Sequence, residues 1–221
     1  MDSEAKMKAQ VCIDQDCDHI DGAPVPEDID AAQVDVSDEP HVQDPTLEQL
    51  EACCFEQDQT WMQLAYEQAA QAALAGEVPV GAVIVSQGHV IGQGYNCPIE
   101  SHDPTAHAEI QALRQACQQA QNYRLPDDAT LYVTLEPCTM CVGALIHARV
   151  ARVVFATTEP KAGALVSARK LLDSGYYNHH FSFEGGCLQA QCAAQLSQFF
   201  KMRRAQKKQQ RLAQKQFNAA P

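Results

Sequence analysis

Two short segments place ionisable side chains at spacings that can do chemistry: PTAHAEIQAL, Pro104 to Leu113, and TLEPCTMC, Thr134 to Cys141. Cys138 and Cys141 form a C-x-x-C pair, which lets two sulfurs at a helix start converge on one cation. A helix N-terminus and a cation both favour the thiolate, the form that ligates. His107 supplies a third donor from the start of the preceding helix. Three protein ligands with one open position describe a catalytic rather than a structural zinc site. Zinc held in this way lowers the pKa of its bound water to about 7, giving hydroxide at neutral pH. Glu109, two residues after His107, falls beside the open position without ligating. Hydrolytic deamination needs a proton taken from water, one delivered to a ring nitrogen and one to the departing amine. A single carboxylate can carry all three in turn.

Neither half is specific alone. An isolated C-x-x-C is equally a redox, structural or accidental feature, and a helix-start histidine near a carboxylate is commonly just solvated. Together, with Pro137 before the first cysteine and each half after a strand-like run, they match the H-x-E…P-C-x-x-C pattern of zinc deaminases.

The surrounding pattern indicates how these residues are held. A helix is expected from about His107 to Gln121, a strand over TLYVTL (Thr130–Leu135), a helix from about Thr139 to His147, and a strand in ARVVFA. Upstream, Val83, Ile84, Val85 and Val90, Ile91 flank QG and read as a β-hairpin. Thr60 is a good N-cap for a helix whose stripe is Trp61, Leu64, Ala65 and Ala69, stopped at Gly76. A last helix starts near Leu188. Near-continuous apolar strands between helices point to an α/β/α sandwich with a mixed central sheet covered on both faces.

The chain has 221 residues and a formal net charge of −12, unevenly spread. Residues 1–58 carry 17 acidic side chains against Lys6 and Lys8, a balance of −15, whereas Lys201 to Lys215 holds seven cations and no acid. The head is proline-broken, acidic and poor in large apolar groups, so residues 1–58 are expected to be a largely disordered extension and 59–221 the folded domain. Cys12, Cys17 and His19, and the pair Cys53–Cys54, have no fourth partner at a usual zinc-finger spacing. No apolar run approaches the ~20 residues of a membrane span, and no secretory signal opens the chain, so a soluble, cytoplasmic protein with reduced thiols is expected.

Longer phrases add a resemblance. EVPVGAVIV, GQGYNCPIESHDPTAHAEIQALRQA, NYRLPDDATLYVTLEPCTMCVGALIHARVARVVF and FFKMRR resemble the bacterial tRNA-specific adenosine deaminases, of the cytidine/deoxycytidylate deaminase superfamily, over roughly residues 60–212. The resemblance implies conversion of adenosine to inosine at the wobble position of a tRNA anticodon. It also implies a cytidine-deaminase-like fold, one zinc per subunit, and a homodimer whose subunits share each anticodon stem-loop site. By position it implies base-pocket roles for Asn96 and for the backbone amides at Ala108 and Glu136. Glu159, Lys161, Asn178 and His179 correspond to RNA-contacting loops, and Phe199, Phe200, Arg203 and Arg204 to the C-terminal helix beside the substrate. The chain departs at Thr158 and Glu159, where the bacterial pattern has arginine and aspartate, and LVSARKLLDSGYY is only loosely alike.

Two other readings stay open. One is a zinc deaminase of a free base or nucleoside of guanine or cytosine type. Against it, a small substrate has no use for the basic tail, whose neutralised phosphates would release counterions. The other is a zinc-stabilised RNA-binding module without catalysis, against which Glu109 argues. His102, His147 and His180 carry no assignment, and Cys97, Cys117, Cys187 and Cys192 read as small buried groups.

Overall fold

The computed structural model describes residues 47–175 and 177–219. Cys12, Cys17 and His19 lie outside the described residues, as do most of the acidic extension and the side chains of Cys53 and Cys54. The runs rich in Val, Ile and Leu form strands β1 (Gly81–Ser86), β3 (Thr130–Leu135) and β4 (Arg152–Thr157), joined by β2 (His89–Tyr95) and β5 (Ser182–Gly185). The sheet order is β2-β1-β3-β4-β5. β1 runs antiparallel to β2 and β3, while β3, β4 and β5 are parallel, so the sheet is mixed as expected. The β1–β2 turn uses Gln87 and Gly88, both at positive φ (49° and 71°), the backbone a two-residue hairpin of this twist requires.

Strand alternation sends side chains to both faces. Val83, Val85, Tyr132, Val154 and Ala156 pack with Met62 and Ala65 of α1 (Leu47–Leu74) and Cys192 of α5 (Gln189–Ala219). Ala82, Ile84, Leu131, Val133, Val153 and Phe155 pack with Ala108, Ala112 and Ala116 of α3 (Ala108–Ala120) and Val142, Leu145 and Ile146 of α4 (Thr139–Ala148). The result is the expected three-layer sandwich. α3 lies flush on β2 because a Cβ on Gly94 would come within 2.7 Å of the Ala112 nitrogen and 2.8 Å of the Ala108 carbonyl. That contact fixes the start of α3, and the core beneath α4 fixes the start of α4.

Several expectations need correction. α1 begins at Leu47, not Thr60, so residues 47–58 are helical rather than part of a disordered extension. Thr60 sits mid-helix, its hydroxyl bonded back to the Glu56 carbonyl at 3.1 Å. Asp58, the last residue assigned to the extension, is 7% exposed and belongs to the core. It accepts from the Tyr132 hydroxyl at 2.7 Å and from Arg152 at 2.9 and 2.6 Å. Those partners are far along the chain, so local acidity hides the role. The edge strand β5 and the short helix α2 (Pro98–Ser101) were not expected; α2 is capped by Glu77, which accepts from the Ile99 and Glu100 amides at 2.7 and 2.9 Å. Cys187 and Cys192 are buried, whereas Cys97 and Cys117 are half-buried. Among the described residues no helix is long and apolar enough to cross a membrane.

Candidate active site

Each candidate metal donor stands at or just inside a helix start. His107 is the residue preceding α3 (φ −74°, ψ 155°) and Cys138 the residue preceding α4 (φ −79°, ψ 173°). Neither side chain caps its own helix, which leaves both to face one another. Cys141 follows in the first turn of α4, fully buried. His107 Nδ1 lies 3.7 Å from Cys138 Sγ and 3.6 Å from Cys141 Sγ, and the two sulfurs are 3.6 Å apart. These separations fit one ion: tetrahedral bonds of about 2.3 Å to sulfur and about 2.0 Å to nitrogen give edges of roughly 3.5–3.8 Å. The three residues form a group that can hold a metal ion.

Of the three donors, Cys138 is the one shifted toward its ligating form. A hydrogen bond from the Cys141 thiol, helped by His107 and opposed by burial, holds the Cys138 thiol down to about 4. Donation to Cys138, with burial, pushes the Cys141 thiol up. The hydrogen bond with Cys138 raises the His107 imidazole against the effect of burial. Glu109 lies in the first turn of α3, 4% exposed. Burial pushes its carboxyl above the usual range, and it interacts with the Cys141 thiol.

The chain has counterparts among known proteins. The MafB19-like deaminase family model matches residues 56–204. The tRNA-specific adenosine deaminase of Haemophilus influenzae is 47% identical over 152 residues, 68% of this chain and 87% of that protein. Its Bacillus subtilis counterpart is 40% identical over 152 residues, 69% of this chain and 94% of that protein. The chain belongs to the family of tRNA-specific adenosine deaminases. A solved structure from a study of A-to-I editing by tRNA:A34 deaminases at the wobble position of transfer RNA superimposes with a TM-score of 0.60 at 40% identity, covering 62% of this chain and 98% of that one. NE0047 in complex with 2,6-diaminopurine superimposes with a TM-score of 0.57 at 25% identity, covering 64% and 80%. The architecture is the cytidine-deaminase-like fold of the family.

The remaining family-derived candidates are placed unevenly. Half-buried Asn96 reaches the start of α3, where its side-chain oxygen accepts from the Ala108 amide at 2.9 Å. The Glu136 amide donates to the Thr157 carbonyl at 2.8 Å. Both amides expected to line a base pocket are thus already engaged, the first by Asn96 itself and the second by the strand that pairs with β3. Glu159 is half-buried with its amide on the Glu136 carboxylate at 3.0 Å, and exposed Lys161 gives its amide to Glu159 at 2.9 Å.

Asn178 and His179 are tied to the far end of α4. Arg149 donates to the Asn178 carbonyl at 3.0 Å, and His179 Nε2 lies 2.7 Å from the Val150 carbonyl, to which it donates. On α5, Phe199 is buried while Phe200 is 43% exposed, and the Arg203 guanidinium lies 6.0 Å over the Phe199 ring. His102, His147 and His180 are exposed.

Sequence reasoning missed the side chain of Glu136. It is 3% exposed and accepts from the amides of Glu159, Leu165, Val166 and Ser167 and from the Ser167 hydroxyl. Burial works to raise its carboxyl, but these donors outweigh it and hold the group below the usual range. The only local signal is its position two residues before Cys138; the loop it binds returns from much later in the chain.

Proposed function

We propose that this protein deaminates adenosine to inosine hydrolytically at the wobble position of tRNA anticodons. His107, Cys138 and Cys141 hold one zinc ion per subunit, and Glu109 is the catalytic acid–base. The observation that carries this reading is the cluster itself: one imidazole nitrogen and two sulfurs within 4.8 Å of one another, with buried Glu109 two residues from the histidine. When bound, the ion supplies Lewis-acid activation of the water that attacks C6 of adenine.

The chain's own residues do the rest. Glu109 takes a proton from the attacking water and passes it to the ring nitrogen N1, then takes the second proton from the new C6 hydroxyl and gives it to the departing amine. Water adds at C6, the C6–N bond breaks and ammonia leaves, so the proton count closes through one carboxyl group. A carboxyl raised by burial suits a role in which it must both accept and return a proton. Asn96 fixes the first helical amide between His107 and Glu109 and presents the rest of its side chain to the base. An unpaired anticodon base can be extruded into such a site at a cost of only a few kcal/mol.

In this proposal Glu159, Lys161, Asn178, His179, Phe200 and Arg203 contact the anticodon stem-loop. The enzyme works as a homodimer in the cytoplasm. What supports RNA rather than a free base as substrate is the family membership together with the seven cations between Lys201 and Lys215. Incubation with a tRNA bearing an ACG anticodon, and separately with adenosine, cytidine and guanine, tests it. Inosine only in the tRNA supports the proposal. Conversion of a free base alone, or no conversion by zinc-loaded protein, rejects it.

A further inference from the structure

The Glu136 carboxylate serves five donors from one returning loop. Oε1 accepts from the amides of Leu165, Val166 and Ser167 at 3.0, 2.8 and 3.0 Å. Oε2 accepts from the Glu159 amide at 3.0 Å and from the Ser167 hydroxyl. All five donors are neutral, and four are backbone, so the loop wraps the anion as a concave nest of N–H groups. An acceptor-only group with two oxygens is what this many donors demand, and hydrogen bonds to an ionised acceptor are the stronger kind.

The attachment continues along the chain toward the candidate ligands. The Ala164 amide donates to the Pro137 carbonyl at 2.9 Å, and Gly163 pairs with Cys138 in an isolated antiparallel bridge. A Cβ at Gly163 would overlap the Glu136 carboxylate, so the loop approaches as closely as only glycine permits. Residues 136, 137 and 138 therefore each hold the 159–167 loop, and the third is a candidate metal ligand. The loop lies between β4 and β5 with no helix or strand of its own, and it carries Glu159 and exposed Lys161.

We propose that Glu136 is a positioning residue: its carboxylate fixes the 159–167 loop against the metal-ligand segment and so sets how Glu159 and Lys161 meet the RNA. The RNA part rests on the function proposed above; the anchoring does not. Glu136 acts through the loop and touches no reacting atom.

Glu136→Gln in the full-length, zinc-loaded protein tests this. The substitution keeps size and the three-amide face but turns Oε2 into a donor facing the Glu159 amide. A buried donor left without a partner predicts a rise in KM for tRNA of about tenfold or more, with kcat falling less than about threefold and zinc still stoichiometric. Hydrogen exchange at amides 159 and 165–167 accelerates about tenfold or more, while β3 and α4 keep their protection. Ser167→Ala, which removes only the side-chain donor, raises KM by a smaller factor, about two- to fivefold, and decides the matter where Glu136→Gln fails to fold.

Unchanged KM and exchange in these variants would overturn the proposal. So would a fall in kcat or zinc content at constant KM, which would place Glu136 in the service of the metal site alone. If the wild-type protein leaves tRNA untouched, the functional reading fails by itself, and the exchange pattern alone decides whether Glu136 anchors the loop.

Discussion

The side-chain oxygen of Asn96 accepts the amide proton of Ala108 at 2.9 Å, on the one residue that separates His107 from Glu109. Ala108 is fully buried, so the bond replaces water that cannot reach it. Asn96→Ala strands that amide, at a cost of about 1–3 kcal/mol, and loosens the turn that carries His107 and Glu109. The expected result is a kcat/KM for tRNA lowered about 10- to 100-fold with zinc retained. Steady-state kinetics with metal analysis on the same sample would show it; wild-type kcat/KM would reduce Asn96 to a turn former.

Glu109 and Cys138 should fail differently. Glu109→Gln preserves shape and zinc but cannot exchange protons, so kcat is expected to fall by a factor of at least about 10²–10⁴. Cys138→Ser removes a proposed thiolate ligand, so zinc content is expected to drop together with activity. Stoichiometric zinc in Cys138→Ser would reject the ligand set, and near-normal turnover in Glu109→Gln would reject the proton carrier.

Metal removal gives a chemical readout that does not depend on substrate. Burial, the leading cause, pushes the Cys187 and Cys192 thiols up to about 11 and about 12. At pH 7.5 both therefore remain protonated and unreactive, because alkylation needs the thiolate. Chelation with EDTA should expose Cys138, the thiol held low, to iodoacetamide, while zinc reloading protects it and the buried Cys141, Cys187 and Cys192 stay unlabelled throughout. Peptide mass spectrometry reads the pattern. Equal labelling of Cys138 with and without zinc would count against ligation.

What the sequence reveals divides along a physical line. The helices at 108–120 and 139–148, the hairpin and the core strands are legible because their periodicity, turn chemistry and C-x-x-C spacing are local. The convergence of His107, Cys138 and Cys141 is legible because a candidate metal-ligand set constrains residue type and spacing together. Asp58, Glu77 and Glu136 are not. Each is an acidic residue that looks solvated along the chain, and each is buried by partners that only the tertiary fold brings near. Asp58 shows the consequence: an acidic count drew the boundary at 58, whereas the helix continues upstream to Leu47 and the carboxylate is needed inside.

Asp58 accordingly makes a stability prediction. It pairs with Arg152 and takes the Tyr132 hydroxyl; burial and that hydrogen bond push the tyrosine up, and Asp58 likewise raises the Arg152 guanidinium, so both stay protonated donors at neutral pH. Removing one partner of a buried pair costs about 3–5 kcal/mol; because the Arg152 side chain keeps 26% exposure, the lower end, about 3 kcal/mol, is expected for Asp58→Ala. Denaturant unfolding of the full chain measures it. A change below about 0.5 kcal/mol would show that the network is ornamental rather than structural.

The cations of α5 make a prediction about RNA affinity. Arg204, Lys207, Lys208, Arg211 and Lys215 recur at helical spacing on one side of the exposed end of α5, and Phe200 lies one turn before Arg204 on the same side. A solvated helix end has no need of such alignment, whereas a polyanion laid along that face would engage all five cations. Changing Lys207, Lys208, Arg211 and Lys215 to glutamine should reduce the slope of log affinity against log salt by up to about 3, since each neutralised phosphate contributes roughly 0.7–0.9. Binding at low salt weakens across tRNA sequences alike, and kcat at saturating tRNA holds. Fluorescence anisotropy over a salt series checks the slope; parallel lines for variant and wild type would assign the stripe to solubility and leave RNA binding to the loops near Glu136 and Arg149.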